Sequence, residues 1–299
     1  TAGMSMARRL GMGRVAVAST GNTSASLAAY AAMAGMEAVV FIPDGQIAMG
    51  KLGQTLAYGA RTIQVQGDFD DAMRLVEAIA LADDLYLLNS VNPFRIEGQK
   101  AILFELLSDL GWAVPDWIVL PGGNLGNNTA IAKGVLELFQ RGVIQKLPRM
   151  AVIQSEGANP LYQAWHGDGV LNPVKAKTVA TAIQIGAPVS FTKSMKGLLA
   201  LNGIVEQVSD AEILEAKAVV DAAGIGAEPA SCATVAGLRK LVASGIIGPQ
   251  EVVCGVLTGH VLKDPGLIID YHTDQLPEYL RSERRNAPTR VEANEAAIR

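Results

Sequence analysis

Val15-Ala16-Val17-Ala18, then Ser19-Thr20-Gly21-Asn22, then the alanine-rich stretch Thr23 to Met36, then Ala38-Val39-Val40-Phe41-Ile42 is the stretch that decides the fold. The first run reads as a strand. The alanine-rich stretch reads as a helix that ends at Gly35, and the last run as a second strand, apolar throughout and closed by Pro43. A strand, a covering helix and a second strand in succession make a parallel pair, because the helix carries the chain back across the sheet.

The same alternation continues in both directions from this unit. Gly50 to Tyr58 reads as a short helix and Thr62-Ile63-Gln64-Val65 as a strand. Asp68 to Ala82 reads as a helix with acidic residues in its first turn, where the helix dipole favours them. Tyr86-Leu87-Leu88 is a strand, Ile96 to Leu110 a helix, Trp117 to Leu120 a strand, Asn128 to Gln140 a helix and Ala151 to Gln154 a strand. Leu161 to Phe191 is less regular. Ser209 to Ala223 is an amphipathic helix with Ser209 or Asp210 as its N-cap. Ser231 to Ser244 is another helix, and Glu251 to Leu257 is a strand. The charged tail from Glu278 is expected to form a surface helix and a frayed end. Apolar strands alternating with helices predict an α/β fold of two domains, each a mostly parallel twisted sheet with helices on both faces. A polar loop at Asn89 to Arg95 separates two series of strand–helix units, dividing the chain into 1–92 and 93–299.

Composition narrows the function classes. The 299 residues are 49% hydrophobic and 18% charged, with a net charge of -4. Basic residues are scattered, which does not suit nucleic acid. No apolar run reaches the ~20 residues that a membrane span needs. Cys232 and Cys254 are too few for a disulfide framework and read as buried free thiols of a reducing, cytoplasmic compartment. His166, His260 and His272 form no metal-ligand spacing, so no metal is expected. Thr1 to Gly11 reads as a helix already in progress and closed by glycine, so an upstream segment is expected.

Four segments carry chemistry. In Ser19-Thr20-Gly21-Asn22-Thr23-Ser24, hydroxyl side chains stand beside the free N–H groups of a helix start, which suits an anion. An ordinary N-cap would use the same residues. In Gly122-Gly123-Asn124-Leu125-Gly126-Asn127, glycines let successive N–H groups converge on a phosphate. Its spacing is neither the dinucleotide fingerprint nor a P-loop, and a structural glycine turn is the alternative. In Asn89-Ser90-Val91-Asn92-Pro93-Phe94-Arg95, Pro93 keeps Asn92 extended. The guanidinium of Arg95 follows polar side chains and suits an oxyanion; a surface Arg–carboxylate pair is the competing reading. In Thr258-Gly259-His260-Val261, a hydroxyl at a strand end could face a crevice, and His260 could equally be a packed residue.

Read together and in order, these segments resemble the threonine synthases, members of the fold type II pyridoxal-phosphate (PLP) enzymes that include tryptophan synthase β subunit and cysteine synthase. The resemblance runs from Thr1 to about Pro277, with Asn89 to Lys100 its most specific part and Glu228-Pro229-Ala230-Ser231 also family-like. It implies that Asn22 hydrogen-bonds the phenolic oxygen of the cofactor ring. It further implies that Gly123, Asn124, Leu125, Gly126 and Asn127 hold the cofactor phosphate and that Thr258 faces the pyridine nitrogen. Ser19, Thr23, Asn89, Ser90 and Arg95 would contact O-phosphohomoserine, with Arg95, Ser90 and Thr23 around its phosphate. On this reading 1–92 is the smaller domain, on the substrate and ring side. Residues 93–299 form the larger one, on the cofactor-phosphate and pyridine side.

The implied reaction converts O-phospho-L-homoserine and water to L-threonine and phosphate, in a cytoplasmic homodimer. The family's Schiff-base lysine lies immediately ahead of the segment matching Thr1 and is expected upstream of this chain. Lys51, Lys100, Lys133 and Lys263 stand in other contexts. Val261 departs from the family pattern, which has glycine there, and any positive φ at that position would be strained. Three alternatives stay open: a sister PLP enzyme such as a threonine dehydratase or β-replacement synthase, a non-catalytic PLP- or phosphate-binding protein, and, more remotely, a dinucleotide dehydrogenase.

Overall fold

A computed structural model describes residues 1–44, 49–67, 69–82, 84–281 and 284–293. Two four-stranded sheets organise them. The first contains β1 (Arg14–Ala18), β2 (Glu37–Pro43), β3 (Arg61–Val65) and β4 (Leu85–Leu87), in the order β3-β2-β1-β4. The second contains β5 (Trp117–Pro121), β6 (Arg149–Ser155), β7 (Ile204–Val208) and β8 (Val253–Gly255), in the order β7-β6-β5-β8. Every pairing is parallel, with Val15 beside Ala38 in the first sheet and Trp117 beside Arg149 in the second.

Helices cover both faces of both sheets, because successive strand residues point to opposite sides. In the first sheet, Val15, Val17, Val40 and Ile42 pack with Met4 of α1 (Ala2–Arg9) and Leu27 of α2 (Asn22–Ala34). The helix α3 (Met49–Ala57) follows β2. On the other face Ala16, Ala18, Val39 and Phe41 pack with Ala72 and Val76 of α4 (Phe69–Ala82). Two helices, α5 (Pro93–Gln99) and α6 (Ala101–Asp109), lead to the second sheet.

There Ile118, Leu120, Met150 and Val152 face Leu103 of α6, Ile131 of α7 (Gly126–Gln140), Leu161 of α8 (Pro160–His166) and Leu198 of α9 (Phe191–Ala200). Trp117, Val119, Ala151 and Ile153 face Ile213 of α10 (Asp210–Ala222) and Ala233 of α11 (Pro229–Ala243). Each fully buried aliphatic side chain of this kind contributes roughly 1.5–3 kcal/mol. A final helix, α12, spans Pro265–His272.

The α/β architecture is the expected one, with local differences. The helix expected over Ile96 to Leu110 starts earlier and is two helices, meeting at Lys100. Strand β7 and helices α9 and α12 were not expected. The surface helix expected from Glu278 is a single turn, Glu278–Leu280, whose Leu280 is buried against Leu214 and Tyr271; residues 282, 283 and 294–299 of that tail lie outside the described residues, as does Asp68. Ser209 is the N-cap of α10, in a capping box with Glu212. Cys232 is buried, and burial pushes its thiol up to about 12, but Cys254 is only half-buried, because it sits on the outermost strand of its sheet.

Both sheets run outward from an inner strand and then return to its other side. The reversals fall between β1 and β4 and between β5 and β8. Ligands of open parallel sheets settle beyond the carboxyl ends of the strands at such reversals. The four segments singled out in the sequence follow β1, β4, β5 and β8.

Candidate active site

The turn after β1 is held by its own atoms. Ser19 N–H donates to the Phe41 carbonyl at 3.0 Å, Gly21 N–H donates to Ser19 Oγ at 3.2 Å, and Ser24 Oγ donates to the Gly21 carbonyl at 2.7 Å. Helix α2 then opens at Asn22, with Thr23 half-buried beside it. The Asn22 amide nitrogen donates to both carboxylate oxygens of Glu228, at 3.0 and 3.1 Å, while its Oδ1 is buried without a partner.

The loop after β4 is tied to that turn. The buried amide of Asn89 accepts from Ala18 N–H and donates to the Ala18 carbonyl, both at 2.9 Å, as a neighbouring strand would. Its polar atoms are thus occupied by main chain. Asn92 caps α5 by accepting from Phe94 N–H at 3.0 Å and donates to the Leu87 carbonyl at 2.8 Å. Pro93 is the first residue of α5, where its missing N–H costs nothing. One turn on, Arg95 Nη1 lies 3.4 Å from both the Leu88 carbonyl and Ser90 Oγ. Burial pushes its pKa below the ordinary arginine value, and no carboxylate among the described residues pairs with it. A partly desolvated guanidinium without a counter-ion favours an anionic ligand.

The loop after β5 uses its main chain. Leu125, the residue before α7, lies in the left-handed region at φ 62°, which turns the chain into the helix. Among the described residues no main-chain acceptor takes the N–H groups of Gly123, Asn124 or Leu125, and those of Gly126 and Asn127 open the helix and have no partner within it. Asn127 Oδ1 is buried without a partner. The glycines are needed for space. A Cβ on Gly122 would stand 2.6 Å from Val152 Cγ1, and one on Gly123 would stand 3.2 Å from the Ala182 carbonyl. The fully buried Gln154 donates to the Gly122 carbonyl at 3.1 Å and accepts from Leu161 and Tyr162 N–H, so it fixes the loop against the start of α8.

After β8, Ser231 Oγ accepts from Thr258 N–H at 2.9 Å and Gly259 N–H at 2.8 Å, and lies 3.0 Å from Thr258 Oγ1. Val261 has no positive φ, so the side chain is accommodated without backbone strain. It packs instead against the left-handed Gly226, where a Cβ would stand 3.0 Å from Val261 Cγ1. His260 Nδ1 accepts from Leu262 N–H at 3.2 Å and caps the next turn.

Asn22, Thr23, Arg95 and Thr258 line one cleft of about 840 Å³, together with Thr1, Tyr30, Phe94 and Gln99. Ser19 and Asn89 are not among its lining residues, and Ser90 reaches it through Arg95. The glycine loop adjoins it through Gln99, whose Oε1 would lie 3.7 Å from a Cβ on Gly126. Glu228 and Ser231, which hold Asn22 and Thr258, were not assigned a role from sequence; only the family-like run around them drew notice. Lys100 pairs with Glu97 and Glu137, Lys133 with Glu97, and Lys263 with Gln54, and none of the three lines the cleft. The side chain of Lys51 lies outside the described residues.

These residues fit a pyridoxal phosphate. A cradle of unpaired N–H groups at a helix start suits its phosphate, an N–H of the Asn22 amide can meet a ring oxygen, and the Thr258 hydroxyl lines the same cleft.

Comparison with known proteins agrees. Residues 2–259 match the family of pyridoxal-phosphate dependent enzymes. A threonine synthase of Methanosarcina acetivorans is 48% identical over the whole of this chain and 71% of its own length. One from Methanocaldococcus jannaschii is 46% identical over 90% of this chain and 67% of its own. Among solved structures, a threonine deaminase from Solanum lycopersicum superposes with a TM-score of 0.74 at 19% identity, over 87% of this chain and 74% of its own. At that identity the likeness concerns the fold alone. Family match and sequence identity together place this chain among the pyridoxal-phosphate-dependent enzymes and, within them, in the threonine synthase family.

Proposed function

We propose that the cleft takes O-phospho-L-homoserine and that the chain's side chains divide the work of PLP-dependent threonine synthesis as follows. Gly123, Asn124, Leu125, Gly126 and Asn127 hold the cofactor phosphate, largely through main-chain N–H groups at the start of α7. Asn22 hydrogen-bonds the phenolic oxygen, and Thr258 faces the pyridine nitrogen. When bound, the cofactor supplies an electron sink that makes the substrate's α and β protons removable. A neutral hydroxyl opposite the ring nitrogen leaves that nitrogen largely unprotonated and tempers the sink. Arg95, Ser90 and Thr23 surround the leaving phosphate. Ser19 and Asn89 were expected at the substrate; the Asn89 amide bonds the main chain of Ala18, so we assign it the shape of the substrate loop, while the Ser19 hydroxyl accepts from Gly21 N–H and keeps its O–H for the substrate.

The observation that carries this reading is Arg95, a half-buried cation without a counter-ion among the described residues, in the same cleft as Asn22 and Thr258. Sister enzymes acting on substrates without a terminal phosphate have less use for it. Arg95→Ala in the whole protein is expected to lower kcat/KM for O-phosphohomoserine roughly tenfold to a hundredfold, the range for hydrogen bonds to charged groups. Cofactor retention should stay near the parent's. Equal loss of both, or release of ammonia without phosphate by the parent enzyme, would defeat the assignment.

We further propose residues 1–92 and 93–299 as the two domains, and a cytoplasmic homodimer. Both cysteines are free, as in a reducing compartment, and no helix among the described residues is long and apolar enough to cross a membrane. Light scattering on the purified protein tests the dimer.

A further inference from the structure

Glu228 is 2% exposed and stands behind the cleft, against Asn22 of its lining. It occupies the N-cap of α11 without capping it, a place where serine, threonine or asparagine would serve the helix better. A buried carboxylate is costly unless its oxygens are hydrogen-bonded. Both of these oxygens accept from Asn22 Nδ2, 206 residues away at the start of α2. The surroundings keep the carboxylate there. Glu228 N–H donates to the Gly259 carbonyl at 2.9 Å, and a Cβ on Gly259 would stand 2.2 Å from Glu228 Oε1. Lys217 Nζ, also buried, donates to Asp221 at 2.7 Å and to the Ala227 carbonyl at 2.8 Å, bracing the residue before Glu228.

An amide side chain is ambiguous, because its two ends differ little in shape. An ionised carboxylate only accepts, so it admits the NH₂ end of Asn22 and turns the oxygen end away. That oxygen is the one left buried without a partner. Nδ2 carries two N–H groups, and one shared between the two Glu228 oxygens would leave the other for a ligand. We propose that Glu228 is a positioning residue: its carboxylate sets which face of the Asn22 amide meets the cofactor ring. Three residues on, Ser231 holds Thr258 in the same way, so a single turn of α11 orients both residues that face the ring.

This inference rests on the proposed contact between Asn22 and the ring, and the test separates the two. Glu228→Gln keeps the size but can present either end of its own amide, so it releases the constraint. The variant is made in the whole PLP-loaded protein, alone and combined with Asn22→Ala. The absorption spectrum of the bound cofactor and its dissociation constant are read by titration.

In the parent background Glu228→Gln is expected to shift the spectrum and weaken cofactor retention roughly tenfold. In the Asn22→Ala background it should add nothing, because the residue through which it acts is gone. Full effects in both backgrounds, or none in the parent while Asn22→Ala alone alters the spectrum, would overturn the positioning role. An unchanged spectrum for Asn22→Ala would instead remove the ring contact on which it rests. Should Glu228→Gln not fold, Glu228→Asp, which only accepts but reaches less far, enters the same cycle with the same expected non-additivity.

Discussion

The turns after β1 and β5 occupy equivalent places in two sheets of the same strand order, yet they work by different means. After β1 the atoms proposed to recognise ligands are on side chains, and the turn needs little from its glycine: a Cβ on Gly21 would meet nothing within 4 Å. After β5 the atoms proposed to do so are main-chain N–H groups, and the glycines are there because the core leaves no room. Each turn is also braced by an amide from a neighbouring strand's end, Asn89 against Ala18 and Gln154 against Gly122. The contrast follows from the ligands proposed for each. A phosphate is nearly spherical and is well met by converging N–H groups, whereas a ring oxygen and a substrate need directional side chains that can differ from one enzyme to the next.

Three substitutions probe this contrast. The largest effect is expected from Gly122→Ala, whose methyl group would press on Val152 in the packed interior of the second sheet. A loss of about 3 kcal/mol in urea unfolding, with weakened cofactor retention, is expected from overpacking; an unaltered midpoint would mean that the second sheet yields. Asn89→Ala removes two hydrogen bonds and leaves main-chain groups of Ala18 unpaired, so about 2 kcal/mol is expected to be lost. The effect on KM for the substrate should exceed that on cofactor binding. Were cofactor binding hit harder, Asn89 would belong to the ring side. Gly21→Ala should cost only about 0.5 kcal/mol, from the poorer N-cap. A cost matching that of Gly122→Ala would erase the distinction between the two turns.

Most of the fold was legible because buried parallel strands are apolar throughout, and the runs at Val15, Ala38, Trp117 and Ala151 are of that kind. Strand β7 escaped notice because it is an edge strand. Its Ile-Val-Glu-Gln-Val run buries only Val205 and Val208, and the polar residues between them mask the pattern. Helix α9 was hidden by Gly197, which reads as a breaker but lets the helix approach Ala132 of α7 closely. Helix α12 did carry a signal in Pro265, which suits a first helical position.

The candidate site was legible where loops follow strands, and illegible where its supports lie far off in sequence. No local pattern couples Asn22 to Glu228 or the Asn89 amide to the main chain of Ala18. The fold alone would not have separated this family from its neighbours, since a threonine deaminase shares it; the sequence identity does.

The long reach of the Asn22–Glu228 contact has a bearing on how the protein matures. With its partners 206 residues apart, and Gln54 and Lys263 joined across 209, these pairs close only after most of the chain has left the ribosome. Contacts of such separation form late, because the intervening loop must first be ordered. A chain halted before Glu228 could not fix the amide of Asn22. Cofactor capture would then report the last step of folding, and through mass action it would draw the equilibrium toward chains that have completed it.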